Sequence, residues 1–480
     1  MGEEERKEII SWSCWFRTLF AGSGALLLFI FTGIIEAQSA VMLPQLKKKD
    51  SFIQVTTEEE TWIASLGIFT TPISAILCGP FIDTLGRKKG LLLFYFLGGA
   101  GFVVIAVSQE VFHIYIGRII SAFAVGLEVC SVVYLAEVTT EKQRSILFSG
   151  CSPTFAAGVT LTYIIGGNLP WNIASAVFGL GCFICFIVEL FTPETPSWLF
   201  KMGRVEEAEH CLKRLGRSPA GIKLELETLQ LSEKVCNETI ELKTFLQPTV
   251  WKPFLLMTLF HFIECASGIY DLLYYTVDFV ESLGTTYDPL TVSTIIATCR
   301  LVTNCTLGLY FTSVASRKQA TMISGFGMGV FLLGSGTYEY VYRDTNVIER
   351  PYQWVPILFT ILNVMSSGIG LLTLPWIMKA EVFPLQVRGI MTGAVFVSAS
   401  LFIFISVKIY DVWIGTLKIY GYLFSLSVPS FFAVFFAIYM LPETQNKTLY
   451  EIEQSFLPKN RRQLHRTKIS PEPETIAEVG

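Results

Sequence analysis

The chain has 480 residues, of which 52% are hydrophobic and only 16% are charged. A soluble enzyme or binding domain of this length carries more charge, so the composition excludes those classes and indicates a polytopic membrane protein. The formal net charge of −4 gives no support to a nucleic-acid partner.

Twelve apolar segments follow one another along the chain. Each approaches the length of about 20 residues that a helix needs to cross the hydrocarbon core. Six precede a charged interval and six follow it: 18–42, 61–82, 90–109, 112–136, 145–166, 170–191, 254–280, 288–313, 320–341, 353–380, 389–412 and 417–441. We therefore predict an all-α polytopic membrane protein with twelve transmembrane helices. The even number places both chain ends on one side.

These segments divide the chain into five parts. They are a terminal segment 1–17, a first six-helix bundle 18–191, a linker 192–250, a second six-helix bundle 251–441 and a tail 442–480. Within the linker, the stretches 204–215 and 222–234 have the amphipathic pattern of surface helices. The tail from Pro458 is basic and then rich in Pro and Glu, so we expect it to be disordered.

Basic residues are concentrated on one side of the predicted membrane. The side of the termini holds, among others, Arg17, Arg87, Lys88, Lys89, Lys142, Arg144, Arg317, Lys318, Lys379 and Arg388. The opposite side holds only Lys47, Lys48, Lys49, Arg343, Arg350, Lys408 and Lys418. Because cytoplasmic loops carry the positive excess, the linker and both termini are predicted to be cytoplasmic.

Three charged motifs occur twice, in the same order. The stretch Glu137 to Arg144 returns as Glu381 to Arg388, displaced by 244 positions at both ends (381 − 137 and 388 − 144). Likewise Pro193-Glu194-Thr195 returns as Pro442-Glu443-Thr444, and Gly86-Arg87-Lys88 returns as Ser316-Arg317-Lys318. Repeats of this kind indicate two homologous, pseudo-symmetric halves with their charged residues on one membrane face.

These motifs together resemble the sugar porter family of the major facilitator superfamily. The loop Gly79-Pro-Phe-Ile-Asp83-Thr-Leu-Gly86-Arg87-Lys88-Lys89 is similar to the superfamily's loop between its second and third helices. Tyr115-Ile-Gly117-Arg118 and Pro375-Trp376 also fit the sugar porter pattern. The stretch from Thr57 to Ser65 looks most like the insect facilitated trehalose transporter branch.

The resemblance implies alternating access, in which two six-helix halves rock about a sugar site at the middle of the membrane. It also implies a cytoplasmic latch of charged residues at the helix ends, closed when the site faces outward. The residues assigned to it are Asp83, Arg87, Lys88, Glu137, Arg144, Glu194, Arg317, Lys318, Glu381, Arg388 and Glu443. Ser313 and Ser316 stand where the family has Asp and Gly. We therefore expect the latch residues of the first half to bind one another more tightly than those of the second half.

The sugar site departs from the family pattern. Where sugar porters carry paired glutamines and an asparagine in the seventh helix, this chain reads Glu264-Cys-Ala-Ser267-Gly-Ile-Tyr270-Asp271. Ser152 stands in place of a fifth-helix glutamine. Trp376 is kept, and its indole suits the apolar face of a pyranose ring. The candidate sugar-binding residues are Ser152, Glu264, Ser267, Tyr270, Asp271, Tyr274, Arg300 and Trp376.

Charged residues appear inside the predicted helices, among them Arg118, Glu128, Glu264, Asp271 and Arg300. Each costs about 2.5–3.5 kcal/mol at a helix centre, so each should face a partner or a cavity. Arg118 matches the family and is expected to be structural, whereas the partner of Glu128 stays open. Glu264, Asp271 and Arg300 either form an ion pair between the seventh and eighth helices or line the cavity and change which solute fits.

We therefore predict a plasma-membrane facilitator of trehalose or a hexose, with no cofactor or metal, whose partners are a small sugar and membrane lipid. Ser39, with Glu36 nearby, stands at the position of the first-helix aspartate of proton-coupled sugar porters, so proton symport stays open. The sequence is also compatible with a carrier of a different, charged solute and with a sugar sensor that does not transport. The histidines His113, His210, His261 and His465 are isolated, and no catalytic set is visible. The exact solute and the oligomeric state stay open.

Overall fold

The computed structural model describes residues 12–235, 242–384, 386–445, 447 and 449–456. Within those ranges every regular element is a helix. The tail beyond Pro458, for which we predicted disorder, lies outside the described residues.

The first six membrane spans fill the chain up to residue 189. Span 1 is α1 (Trp12–Leu46), span 2 is α2 (Thr57–Leu85), span 3 is α3 (Arg87–Ala106), and span 4 joins α4 (Val111–Gly126) to α5 (Glu128–Val138). Span 5 joins α6 (Glu141–Ser149) to α7 (Cys151–Asn168), and span 6 is α8 (Trp171–Glu189). Span 2 starts at a capping box, because Thr56 and Glu59 each bond the other's backbone N–H.

Three linker helices follow: α9 (Pro196–Lys201), α10 (Val205–Arg214) and α11 (Pro219–Val235). The last two fall on the stretches predicted to be helical. The linker packs against the first six spans, because the Trp198 indole donates to the Asp83 carbonyl at 3.0 Å and Arg217 donates to the Val138 carbonyl at 3.0 Å.

The second six spans are more interrupted. Span 7 contains α12 (Pro248–Ala266), α13 (Asp271–Tyr274) and α14 (Thr276–Ser282), and span 8 contains α15 (Pro289–Thr303), a π turn (Asn304–Gly308) and α16 (Leu309–Ser313). Span 9 is α17 (Arg317–Val341), and span 10 joins α18 (Trp354–Ile369) to α19 (Leu374–Glu381). Spans 11 and 12 form the 52-residue α20 (Arg388–Tyr439), which kinks at Lys418, and α21 (Leu449–Ser455) follows.

Nine helical stretches of the described ranges are long and apolar enough to cross a membrane. The 52-residue α20 covers two crossings, and the divided spans 5 and 7 complete the twelve. The predicted bounds agree with these spans to within a few residues, with two exceptions. Span 1 extends beyond its predicted bounds at both ends, and spans 11 and 12 form one helix, kinked at Lys418, where a gap at 413–416 was predicted.

Spans 7 and 10, each predicted as one apolar segment, are interrupted in the structure. Span 7 opens at Ser267–Tyr270, where Gly268 has a φ of +76° that glycine adopts without a steric penalty. Span 10 opens between Ile369 and Leu374. Irregular backbone at membrane depth is tolerated only where protein covers it or it lines a cavity. The two breaks therefore mark the interior surface of the second half.

The two halves are joined at one end of the bundle. We call the end that carries the linker helices the linker face, and the opposite end the far face. At the far face, Lys47 pairs with Asp278 at 3.3 Å, and the Ser39 hydroxyl donates to the Tyr274 carbonyl at 3.2 Å. A shared hydrophobic cluster, which includes Ile68 of span 2 and Val407 of span 11, seals this end.

The linker face is organised differently. One hydrophobic cluster there contains Leu28, Tyr134 and Leu215, and draws only on the first half and the linker. A further cluster contains Met257, Phe383 and Phe436, and draws only on the second half. Because no cluster of the described residues joins the halves at the linker face, the bundle is closed at its far face and divided at its linker face.

Candidate functional site

The breaks in spans 7 and 10 place a polar network at mid-depth in the second half. Its centre is Glu264, whose side chain is fully buried. The Glu264 carboxylate lies 2.8 Å from Nδ1 of His261, and it accepts from the Tyr270 hydroxyl at 2.9 Å and from the Trp376 indole N–H at 3.1 Å. These bonds offset the desolvation of the carboxylate and orient the Trp376 ring. His261 was predicted to be isolated, although its i,i+3 spacing to Glu264 on one helix indicates a contact between the two side chains.

Trp376 is half-buried and lies beside the ammonium group of Lys379. The Nζ atom of Lys379, one turn further along α19, is 4.0 Å from the Trp376 ring centroid and 5.0 Å from that of Phe396. Such cation–π contacts stabilise an ammonium group away from water. Lys379 also interacts electrostatically with Glu128 of span 4 in the first half. Lys379, predicted to lie on the side of the termini, is in the last turn of α19, and its side chain is directed onto Trp376.

Asp271 and Ser267 are turned into the protein. The Asp271 carboxylate accepts from the Ser406 hydroxyl at 2.8 Å and from the Tyr422 hydroxyl at 2.7 Å, which ties span 7 to spans 11 and 12. The buried Ser267 hydroxyl donates to the Ile263 carbonyl of its own helix at 2.8 Å. Both side chains therefore form their hydrogen bonds within the second half.

Arg300 lies on α15 and is only 4% exposed. It interacts electrostatically with Tyr163 of span 5 and Tyr270 of span 7. Among the described residues neither Glu264 nor Asp271 pairs with it, so the ion pair predicted as one option between spans 7 and 8 is not formed. One turn later, the Asn304 amide donates to the Ser152 hydroxyl of span 5 at 3.2 Å, across the two halves.

The first half contributes Arg118, Glu36 and Glu128. Arg118 is 1% exposed and donates to the carbonyls of Ile35 at 2.7 Å and Ile63 at 3.2 Å, so it ties span 4 to spans 1 and 2. Glu36 interacts electrostatically with Arg118 and Glu128, and both carboxylates are partly exposed at mid-depth. Tyr274 faces the same region, since it interacts with Glu36 and Arg118.

The predicted latch residues form two separate clusters. In the first half, Arg87 lies 3.1 Å from the Glu137 carboxylate and 3.3 Å from that of Asp83. The Glu194 carboxylate accepts from the backbone N–H groups of Arg87 at 3.1 Å and Lys88 at 3.0 Å. A carboxylate at the start of α3 is favoured by the positive end of the helix dipole.

The second cluster repeats these contacts. Arg317 lies 2.9 Å from the Glu381 carboxylate, and Glu443 accepts from the backbone N–H groups of Arg317 at 3.0 Å and Lys318 at 3.4 Å. Arg144 and Arg388 donate instead to carbonyls of their own halves, at Ala136 and Phe383. In this arrangement each cluster braces its own half.

The two capping carboxyls differ in pKa. Burial acts to raise the pKa of Glu443, but bonds from the backbone N–H groups of Arg317, Gln445 and Lys318 and from the Ser316 hydroxyl outweigh it, so the pKa lies below its ordinary value. Burial raises the pKa of Glu194 above its ordinary value despite similar backbone bonds. The first cluster is thus the more desolvated of the two.

The model of the family described as "Sugar (and other) transporter" matches residues 18–456. The chain belongs to this family. Among its relatives is the facilitated trehalose transporter Tret1 of Apis mellifera ligustica, 28% identical over 431 residues, which cover 88% of this chain and 84% of that protein. The Tret1 protein of Bombyx mori is 27% identical over 435 residues and has the same coverage.

Solved structures confirm the fold of this sugar transporter family member. The inward open conformation of the xylose transporter XylE from E. coli matches with a TM-score of 0.72 at 18% identity, covering 92% of this chain and 99% of that one. The proton:xylose symporter XylE bound to 6-bromo-6-deoxy-D-glucose matches with a TM-score of 0.66 at 19% identity and the same coverage. The predicted major facilitator fold of a multi-pass membrane protein and the predicted membership of a sugar transporter family are confirmed.

Proposed function

We propose that the protein carries a sugar, trehalose or a hexose, by facilitated diffusion through alternating access at the plasma membrane. The observation that carries this proposal is the half-buried Trp376 indole, held by Glu264 and Tyr270 at the break in span 10, where the two halves meet. An indole face fits the C–H surface of a pyranose, and the neighbouring carboxylate and hydroxyl suit its hydroxyl groups. The relatives named for trehalose transport support the same solute class.

In this proposal residues 18–191 and 251–441 are the two moving bodies, and the linker face is cytoplasmic. The structure then corresponds to a state in which the site is shut off from the outside, because the Lys47–Asp278 salt bridge and the hydrophobic cluster shared by the two halves lie at the far face. Charge-assisted hydrogen bonds contribute about 1.5–3 kcal/mol each. A few of them exchanged between the two faces can balance states that differ by a few kcal/mol.

Proton symport is the second candidate. The Ser39 hydroxyl, which replaces the aspartate, is fully buried and bonded to Tyr274, so it favours uniport. Glu36 favours symport, because a partly exposed carboxylate beside Arg118 and Glu128 could exchange a proton with the cavity. An uptake current that follows a pH gradient and disappears in Glu36→Gln would establish symport.

The experiment is uptake of radiolabelled trehalose and glucose into proteoliposomes without a pH gradient. We expect uptake to stop at equal concentrations on both sides, and we expect Trp376→Ala to reduce the rate about tenfold or more through loss of the stacking surface. Trp354→Ala, at the exposed start of span 10, is the matched control and should transport normally. Binding without accumulation would instead identify a sensor.

A further inference from the structure

Most interior charges of the described residues have a partner. Glu264 is bonded to His261, Tyr270 and Trp376, and Asp271 is bonded to two hydroxyl groups. Glu36 lies beside Arg118, and Glu128 lies in electrostatic contact with Lys379. Every interior carboxylate near the site is therefore accounted for by groups other than Arg300.

Arg300 is the exception. Its guanidinium carries five N–H donors and keeps its positive charge in proteins. The side chain is 4% exposed, and within the described part of the chain no hydrogen bond or ion pair is formed by it. An uncompensated buried charge is costly, so such a group is retained where an anion or a cavity compensates it.

The surroundings of Arg300 supply further donors. The Tyr163 hydroxyl, on span 5 of the first half, is buried, makes no hydrogen bond within 3.5 Å to the described residues, and has Thr276 of span 7 as a polar neighbour. Span 8 contacts span 5 on both sides of Arg300, since the Thr160 hydroxyl donates to the Ala297 carbonyl at 3.1 Å and Asn304 donates to Ser152. The π turn Asn304–Gly308 begins four residues after Arg300, and such turns are frequent at functional sites.

Tyr270 connects this region to the sugar site. Its hydroxyl lies 2.9 Å from the Trp376 indole nitrogen, and the same residue is a neighbour of Arg300. Trp376 and Arg300 thus share Tyr270 as a neighbour, which brings the two residues into one region of the second half. A solute that combines a pyranose ring with a carboxylate would contact both residues.

We propose that Arg300, with the Tyr163 hydroxyl, forms an anion subsite at the edge of the sugar site, and that the transporter accepts sugar acids such as hexuronates. The carboxylate would bind the guanidinium fork while the ring contacts Trp376. This inference rests on the proposed sugar site and names a further substrate class for it.

The first test uses the wild-type protein alone and compares two solutes of the same shape. Proteoliposomes take up labelled glucose in competition with glucuronate or with glucuronamide, its uncharged amide. We expect glucuronate to compete roughly 10- to 100-fold more strongly, which is the factor that charged hydrogen bonds contribute. Equal competition by acid and amide, with glucose uptake intact, would overturn the anion subsite and leave the proposed sugar transport standing. Absence of both glucose and glucuronate uptake would overturn the two proposals together.

The second test assigns the preference to Arg300. In Arg300→Gln the ratio of inhibition by glucuronate to inhibition by glucuronamide should fall to about one, at whatever rate of glucose uptake the variant retains. Arg300→Lys, which keeps the charge but loses the fork, should give an intermediate ratio. Arg343→Gln, which replaces an exposed arginine that pairs with Asp344, is the control and should behave as wild type. An unchanged preference in Arg300→Gln would overturn the assignment.

A free inorganic anion could use the same donors. Chloride is therefore titrated against wild type and Arg300→Gln in a thermal-shift assay, in parallel with glucuronate. Stabilisation by glucuronate that depends on Arg300 supports the sugar-acid assignment. Arg300-dependent stabilisation by chloride alone would overturn that assignment.

Discussion

Arg87 and Arg317, 230 positions apart in the sequence (317 − 87), make the same pair of contacts. Each binds a carboxylate through its side chain, Glu137 at 3.1 Å and Glu381 at 2.9 Å. Each also opens a helix whose first backbone N–H groups donate to a second carboxylate, that of Glu194 or Glu443. The repeated motifs of the sequence therefore correspond to a repeated three-dimensional brace.

The two braces differ at the residue before the arginine. Gly86 has a φ of +106°, and a Cβ atom built on it would lie 2.3 Å from Oε2 of Glu194. Ser316 has an ordinary φ of −63°, and its hydroxyl caps the N–H of Gln319 at 3.2 Å. The glycine lets Glu194 approach the start of α3 closely, whereas the serine supplies a conventional helix cap.

Gly86→Ala tests this close approach. We expect it to destabilise the protein by ~1–3 kcal/mol, because the alanine is strained at positive φ and displaces the Glu194 carboxylate. Gly79→Ala is the matched control in the same loop, since a Cβ there meets nothing within 4 Å. Thermal unfolding in detergent measures both. Equal melting temperatures for the two variants would contradict the proposed contact.

The pKa values predict a contrast between Glu194 and Glu443. A carboxyl with a lowered pKa, such as Glu443, adds stability above its ordinary pKa and loses it as the pH falls through the folded-state value. A carboxyl with a raised pKa, such as Glu194, opposes folding as it ionises with rising pH. At pH ~7, Glu443→Gln should therefore lower the melting temperature more than Glu194→Gln does.

The measurement is thermal unfolding of both variants and wild type between pH ~7 and pH ~4. The deficit of Glu443→Gln should shrink towards the acid end, where wild-type Glu443 begins to protonate. A deficit that grows on acidification would show that the sign is wrong.

Glu264→Gln tests the network behind Trp376. In this variant the amide NH₂ would face the Tyr270 hydroxyl and the Trp376 indole N–H, which now donate to the carboxylate. Because a buried donor would be left without an acceptor, we expect the free energy of unfolding to fall by about 1–3 kcal/mol. The Trp376 ring would also lose its alignment, which should raise the KM for sugar and change tryptophan fluorescence. Glu349→Gln, exposed near the far face, is the control. Unaltered fluorescence and KM would show that Glu264 does not position the indole.

Lys47→Ala tests whether the salt bridges of Lys47 help to keep the far face closed. Its Nζ atom bridges Glu60 of span 2 and Asp278 of span 7 at 3.0 and 3.3 Å. Because the bridge is partly exposed, we expect Lys47→Ala to shift the equilibrium towards far-face opening by only ~0.5–1 kcal/mol, or roughly two- to fivefold. Labelling rates of a cysteine introduced at Tyr274 report the opening, and Lys48→Ala is the control. A slower rate in Lys47→Ala would contradict the role of the bridge.

The sequence alone pointed to some residues of the candidate site, such as Trp376 and Arg300, but not to Lys379. Trp376 and Arg300 were predicted as site residues from the sequence, because an aromatic at a family position and a charge within an apolar span both stand out locally. Lys379 was missed as a site residue, since a lysine near a helix end is normally a loop residue. Its place over Trp376 follows from their i,i+3 spacing on α19, the short helix after the break in span 10.

By itself, the sequence determined the number of spans, their approximate ends and the duplication. These depend on apolar length and on charged motifs, which are properties of short stretches of chain. The tertiary structure alone decided the partners of the interior charges: Glu264 meets Trp376 112 positions away (376 − 264), Lys379 faces Glu128 of the first half, and Arg300 pairs with neither carboxylate of span 7. Those pairings depend on how each helix is rotated and where it breaks, and packing between spans that are distant in the chain sets both.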